Sequence, residues 1–171
     1  MAVDRKALFG GVFLVILIAF GALVSWKMLA GDGARAAPDF AITTLDGETI
    51  QLADFAGRPV MLSFWATSCV SCVREIPDLV ALHERFSPQG FEIIAVALSY
   101  DNERHVRALR DNRNIPYIVA FDTDDVASNA YGRVRLTPTT FLISPEGRIA
   151  YQKLGDPDFD RIRGLLDRWT S

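Results

Sequence analysis

The apolar positions divide the chain into one long uncharged run and a following region of short, alternating signals. Residues 7–26 carry no charge at all, and a helix of that length, at about 1.5 Å per residue, spans a bilayer core of roughly 30 Å. Lys6 and Lys27 bracket the run and Trp26 stands where an interfacial aromatic belongs. Arg5 and Lys6 place the N-terminus on the cytoplasmic side by the positive-inside tendency, although Lys27 weakens that vote. A cleavable signal peptide is the rival reading, because Ala34-Arg35-Ala36 has a small-x-small pattern. About twenty apolar residues exceed the usual h-region of roughly 7–15, which favours an uncleaved anchor. Either reading exports everything after residue 36. The expected organisation is a transmembrane anchor over 1–30, a tether over 31–36 and a globular domain over 37–171.

Within that domain the pattern predicts strands and helices in alternation. Asp46-Gly47 between 41–45 and 49–52 is a hairpin signal. Gly57-Arg58-Pro59 punctuates, and the apolar run 60–65 reads as a buried strand. From Cys69 onward Val73, Ile76, Leu79, Val80, Leu82 and Phe86 recur at helical spacing. Pro77 is expected to kink that helix rather than end it, and Pro88-Gln89-Gly90 to stop it. A second strand over 91–98 follows, then a helix from an Asp101 N-cap to about Asp111, a short strand over 116–121 and a short helix over 126–131 closed by Gly132. A strand over 139–143 and its partner over 148–153 flank the turn Pro145-Glu146-Gly147. Asp156-Pro157 is expected to open the last helix as N-cap and first residue, with Phe159, Ile162, Leu165, Leu166 and Trp169 as its apolar face. The alternating part predicts parallel strands, and the closing hairpin must pair antiparallel, giving a mixed α/β sandwich.

Composition then narrows the chemistry. The chain of 171 residues carries a net charge of −3 without a basic cluster, which argues against nucleic acid. It has two cysteines, both in Cys69-Val70-Ser71-Cys72, with Trp65 four residues ahead of the first. Two thiols three positions apart at a helix start can close into a disulfide and reopen without the rest of the fold moving. As a staple, so short a loop gains little chain entropy. As half a zinc site it needs two more ligands, and His83 and His105 are the only histidines. The favoured reading is thiol–disulfide exchange. Cys69, at the exposed first turn, faces unpaired N–H groups and the positive end of the helix dipole, which favours the attacking thiolate. Cys72, one turn later, is placed to resolve the mixed disulfide. Glu75 lies one further turn along, where a carboxylate could accept the Cys72 proton or simply be a surface acid. His83 reads as half-buried packing and His105 as solvated; Arg104, Arg107 and Arg110 read as a solvated face or a docking patch for an acidic partner.

Four segments give these features a family likeness. Ala37-Pro38-Asp39-Phe40 with Leu45-Asp46-Gly47, the stretch from Phe64-Trp65-Ala66-Thr67-Ser68 into the cysteines, Arg74-Glu75-Ile76-Pro77, and Thr137-Pro138-Thr139-Thr140-Phe141 together resemble the membrane-anchored TlpA/ResA-type thiol–disulfide oxidoreductases of the thioredoxin superfamily. The resemblance covers roughly residues 37–169 and implies a thioredoxin-like three-layer α/β sandwich with an N-terminal hairpin and a central helix–strand insertion. It implies that Cys69 and Cys72 form the redox-active disulfide and that Glu75 manages active-site protons. It implies a cis Thr137–Pro138 peptide facing the cysteines, leaving the Thr137 backbone to pair with substrate while Trp65 covers the flank. Trp65 reads equally well as a core aromatic. No cofactor and no metal is implied. The sequence departs from the family at Ser68, where tryptophan is usual, and at Val70-Ser71, which lacks the common proline.

The leading expectation is a membrane-tethered protein disulfide oxidoreductase whose catalytic domain lies on the periplasmic or extracytoplasmic side of the inner membrane. By resemblance it reduces CxxC disulfides of apocytochrome c or of copper-site assembly proteins and draws electrons from a membrane thiol transporter. The alternatives are a disulfide oxidase or isomerase, since direction depends on potential, and a copper-binding assembly module, since thiolates suit Cu(I). A peroxiredoxin shares the Ala-Pro-Asp-Phe opening, but Ala66 and Leu62 stand where its threonine and proline belong.

Overall fold

In the computed structural model, which describes residues 35–170 together with Leu17 and residues 19–21, the period-two signal around Asp46-Gly47 becomes a hairpin of β1 (Ala41–Thr43) and β2 (Thr49–Gln51). Gly47 supplies the positive φ, 87°, that this turn requires. The chain divides into two compact units, Met1–Ala34 and Arg35–Ser171. Apart from Leu17 and residues 19–21, the expected anchor over 1–30 with its signal-peptide alternative lies outside the described residues, as do residues 31–34 of the tether. Among the described residues no helix is long and apolar enough to cross a membrane. Pairing in the second unit begins before residue 37. Ala36 bridges to Arg148, and the Arg35 carbonyl accepts from the Ile149 amide.

The elements after the hairpin alternate as the apolar rhythm requires. They are β3 (Val60–Trp65), α1 (Val70–Phe86), β4 (Glu92–Leu98), α2 (Glu103–Asn112), β5 (Ile118–Asp122), α3 (Val126–Ala130), β6 (Thr139–Ile143), β7 (Ile149–Leu154) and α4 (Phe159–Trp169). One five-stranded sheet has the order β5-β4-β3-β6-β7, with β3, β4 and β5 parallel and β6 and β7 antiparallel to their neighbours. Every residue of β3 is buried, which explains why it reads as a continuous apolar run rather than an alternation. Its side chains still alternate between faces. Met61 and Trp65 join Leu79, Leu82, Phe86, Ile162 and Leu166 in the core beneath α1 and α4. Val60, Leu62 and Phe64 join Phe40, Ile42, Tyr131 and Phe141 on the hairpin side. Ser63 lies on the first of these faces, between Met61 and Trp65 in register.

Three local expectations are corrected. Asn102, not Asp101, caps α2, its side chain accepting from the Arg104 amide at 3.0 Å. Asp101 is diverted to the active-site turn, described below. The last helix starts two residues later than read: Asp158 is its N-cap, accepting from the Arg161 amide at 3.0 Å, and Asp156-Pro157 belongs to the preceding loop. Asp158→Ala is therefore expected to lower stability by about 1 kcal/mol in denaturant unfolding, with Asp156→Ala showing no such loss of a cap. Finally, the arginines of α2 are not simply a solvated face. Arg107 donates to the Leu45 carbonyl and Arg110 pairs with Asp46 at 2.6 Å, so both hold the β1–β2 turn. That turn lies against β5, where the Leu45 amide donates to the Val119 carbonyl and Thr44 bridges to Ala120. The hairpin thus covers the outer strand of the sheet, which would otherwise present unpaired backbone groups.

Candidate active site

The strand–helix junction after β3 places both cysteines at the C-terminal end of a central strand, the edge where open α/β sheets carry their chemistry. Cys69 is the N-cap of α1 and Cys72 lies in its first turn; the two are joined as a disulfide with Cα atoms 5.3 Å apart. Cys69 is half-buried, its sulfur accepts from the Cys72 amide at 3.2 Å and lies 3.5 Å from Ser71 Oγ, and Cys72 is buried. The Cys72 amide is a hydrogen-bond donor aimed at the Cys69 sulfur, which carries charge when the pair is reduced. The first turn of α1 has no acidic residue to oppose that charge. Pro77 sits inside α1, and the helix continues past it to Phe86, as the rhythm of apolar residues requires.

The turn leading into Cys69 is fastened from outside. Asp101, in the turn between β4 and α2, accepts from both the amide and the hydroxyl of Thr67, at 2.5 and 2.7 Å. Two charge-assisted bonds to one residue fix the turn two positions ahead of the nucleophile.

Glu75 turns inward. It is only 6 % exposed, and its Oε1 has no hydrogen-bond partner in the protein. Burial is the main cause that pushes its carboxyl up to about 7 from 4.5. The Asp156 carboxylate adds to this by repulsion and by hydrogen bonding, and Asp78 adds less; Arg74 works in the opposite direction. Arg74 is itself paired with Asp156 at 3.1 Å. Asp156 is thus a second acid bearing on the site. Asp156 arrives from the β7–α4 loop, about eighty residues away, and no local sequence signal could have singled it out, because Asp-Pro there reads as a helix start. Burial is the main cause that pushes the pKa of the Tyr117 phenol upward, and the Glu75 carboxylate adds to it by repulsion.

Ser63, Trp65, Cys72, Glu75 and Tyr117 line one small cavity beneath the disulfide, closed by Ile76, Leu79, Ala95 and Ile115. Trp65 is 5 % exposed, and its indole N–H, like Glu75 Oε1, finds no partner in the protein. The structure thus brings Trp65, Cys69, Cys72 and Glu75 together and puts Trp65 on the inner wall.

Thr137–Pro138 is a cis peptide, as the resemblance implies. The register Phe64↔Thr139 between β3 and β6 sets this loop beside the end of β3. The Pro138 carbonyl accepts from the Gly155 amide, and Tyr100 Oη lies 3.3 Å from Thr137 Oγ1. Val70, Tyr100 and Leu136 are exposed by 79, 56 and 63 % on the segments that meet here. Sequence reasoning missed Tyr100 and Leu136, since an isolated apolar residue in a loop carries no periodicity. Among the described residues no group of His, Cys, Asp and Glu side chains could hold a metal ion. His83 instead bonds Glu92 at 3.0 Å beside Tyr117, and His105 is exposed.

Residues 34–152 match the AhpC/TSA family. The chain is 34% identical over 143 residues to the thiol-disulfide oxidoreductase ResA of Bacillus subtilis (strain 168), covering 81% of this chain and 79% of that protein. A Chlorobium tepidum crystal structure, assigned as the thiol:disulfide interchange protein DsbE, superposes with a TM-score of 0.73 at 27% identity, over 82% of this chain and 99% of that one. A solution structure from Neisseria meningitidis, assigned as a thioredoxin, gives 0.72 at 30% identity over 80% and 90%.

Proposed function

Because the chain belongs to the AhpC/TSA family, is homologous to the ResA thiol-disulfide oxidoreductases and has a thioredoxin-like fold, we propose that this thiol–disulfide oxidoreductase works as an exported, membrane-tethered reductant of protein disulfides. Its substrates are CxxC disulfides, first among them those of apocytochrome c awaiting haem, with copper-site assembly proteins as the second class. The observation that carries the reading is a half-exposed N-cap sulfur above a buried partner, with a buried carboxyl beneath both.

The steps follow from those positions. The Cys69 thiolate, held by the Cys72 amide and the helix dipole, attacks one sulfur of the substrate disulfide. One substrate thiolate leaves, and a mixed disulfide forms through Cys69. Glu75 takes the proton from Cys72, whose thiolate then attacks Cys69 Sγ. The second substrate sulfur leaves as a thiolate, and the enzyme is left in the Cys69–Cys72 disulfide that the structure holds. Two electrons pass to the substrate, which gains two protons. The Thr137 backbone beside the cis-proline receives an extended substrate segment, and the exposed Val70, Tyr100 and Leu136 rim suits an apolar peptide flank. Trp65 supports this surface from beneath, being buried. In this reading the tether raises the concentration of the domain against membrane-bound partners and a membrane thiol transporter as donor.

Direction is tested by equilibrating the full chain with glutathione. A reductant is expected to have a potential in the range of thioredoxin, about −270 mV, and to reduce an oxidised haem-binding peptide. A potential near that of DsbA, about −120 mV, with no reduction of the peptide, would overturn the reading in favour of an oxidase.

A further inference from the structure

Two polar atoms are left over in the core below the active site. Trp65 Nε1 can only donate and an ionised Glu75 Oε1 can only accept, and neither has a partner in the protein. Both residues are more than nine-tenths buried, and both line the cavity that also touches Cys72 and Ser63. The cavity leaves about 10 Å³ to the centre of a water molecule, the least that admits one. A buried donor or acceptor without a partner costs about 1–3 kcal/mol, and more for a charged group. One donor, one acceptor and room for one water in the cavity that both residues line answer both costs at once.

We propose that Trp65 is a positioning residue whose indole N–H and Glu75 Oε1 hold one ordered water between them, through which the Cys72 proton passes to Glu75. The indole donates to the water oxygen, and the water donates to Oε1. Ser63, on the same wall, offers a hydroxyl as a third partner. In the transfer the Cys72 S–H gives its proton to the water as the water gives one of its own to Oε1, so the water is regenerated and the carboxylate becomes a carboxylic acid. A water donating to the carboxylate favours its charged form. Trp65 therefore offsets part of the burial that pushes Glu75 upward. The other groups facing Glu75 are Asp156 from the β7–α4 loop, Arg74 and Asp78 on α1, and Tyr117 ahead of β5. Trp65→Phe substitutes none of these groups.

This inference rests on Glu75 as the proton acceptor, and the test separates the two. The pH dependence of Cys72 resolution is followed in the full chain for wild type, Glu75→Gln and Trp65→Phe. Trp65→Phe keeps the aromatic ring and removes the N–H. Its inflection is expected to move upward by roughly half a pH unit or more, the scale of a lost hydrogen bond to a charged group reached through water. The inflection should vanish in Glu75→Gln. An inflection lost in Glu75→Gln but unmoved or lowered in Trp65→Phe overturns the water link and leaves Glu75 in place. An inflection that survives Glu75→Gln removes Glu75 and with it this inference. Should Trp65→Phe fail to fold, the wild-type Trp65 indole ¹⁵Nε1 resonance decides, assigned with Trp26→Phe and Trp169→Phe controls. It is expected to show a water cross-peak and to titrate with Glu75; a resonance with neither property overturns the proposal.

Discussion

Cys72→Ser is expected to convert the protein from a catalyst into a trap. The substitution leaves Cys69 half-exposed at the helix N-cap and removes the only group placed to release it. Multiple turnover should fall by at least about a thousandfold, because resolution is then left to external thiols that must reach a mixed disulfide intermolecularly. Partners should accumulate as mixed disulfides that dissolve on adding dithiothreitol. Cys69→Ser should lose turnover to the same extent and trap nothing, because the remaining thiol is buried. The asymmetry between the two variants is the decisive readout, measured by non-reducing electrophoresis of cells expressing each. Equal trapping by both would mean that burial does not separate attacking from resolving sulfur. The captured proteins also test the proposed substrate class, since exported proteins with CxxC pairs are expected to dominate.

Glu75→Gln is expected to alter both rate and stability, with opposite signs at alkaline pH. As a positioned base for Cys72, the carboxylate should contribute on the order of 10²-fold to resolution, so the variant should resolve more slowly by about that factor above pH 7 and show no inflection there. Stability should move the other way. The folded-state pKa of Glu75 is raised to about 7 from 4.5. Its protonated form therefore supports the fold fully below about 4.5, and that support is lost as pH rises toward 7, where the folded protein must carry a buried charge. At pH 8 the glutamine variant avoids that charge and should be more stable by up to about 3 kcal/mol, the equivalent of the shift. Near pH 4 the two proteins should unfold alike. Thermal unfolding of both across pH 4–8 measures this; a constant difference across the range would mean that Glu75 is not the buried group the structure shows. An enzyme that gains stability when a carboxylate is replaced by its amide, while losing rate, is the signature expected of an acid kept in an unfavourable place for its chemistry.

Tyr117 and Asp156 mark the limit of what local pattern conveys. Each reaches the site from an element remote in sequence, and each bears on Glu75. A carboxylate in a loop and a tyrosine ahead of a strand have no periodicity that betrays a shared neighbour. The same holds for Asp101, whose carboxylate had two local uses, helix cap or turn clamp. The choice between them depended on where Thr67 came to lie, thirty-four residues earlier. Asp158 took the α4 cap for a similar reason, as the loop after β7 was long enough to carry Asp156 over to Arg74.

Much else was settled along the chain itself. A stretch apolar but for Ser63, followed by CxxC and an amphipathic helix, determined β3, α1 and the place of the thiols between them, because a buried strand and a helix stripe each follow from residue spacing alone. Asp46-Gly47 determined the hairpin for the same reason, as its turn needs a residue tolerant of positive φ. The tertiary structure decided the state of Glu75. Spacing set it one turn from Cys72, but whether a carboxyl at that position meets water or a closed cavity depends on Ser63, Trp65, Ala95, Ile115 and Tyr117 being folded over it. Solvation is a property of all the neighbours together, and no stretch of sequence contains them.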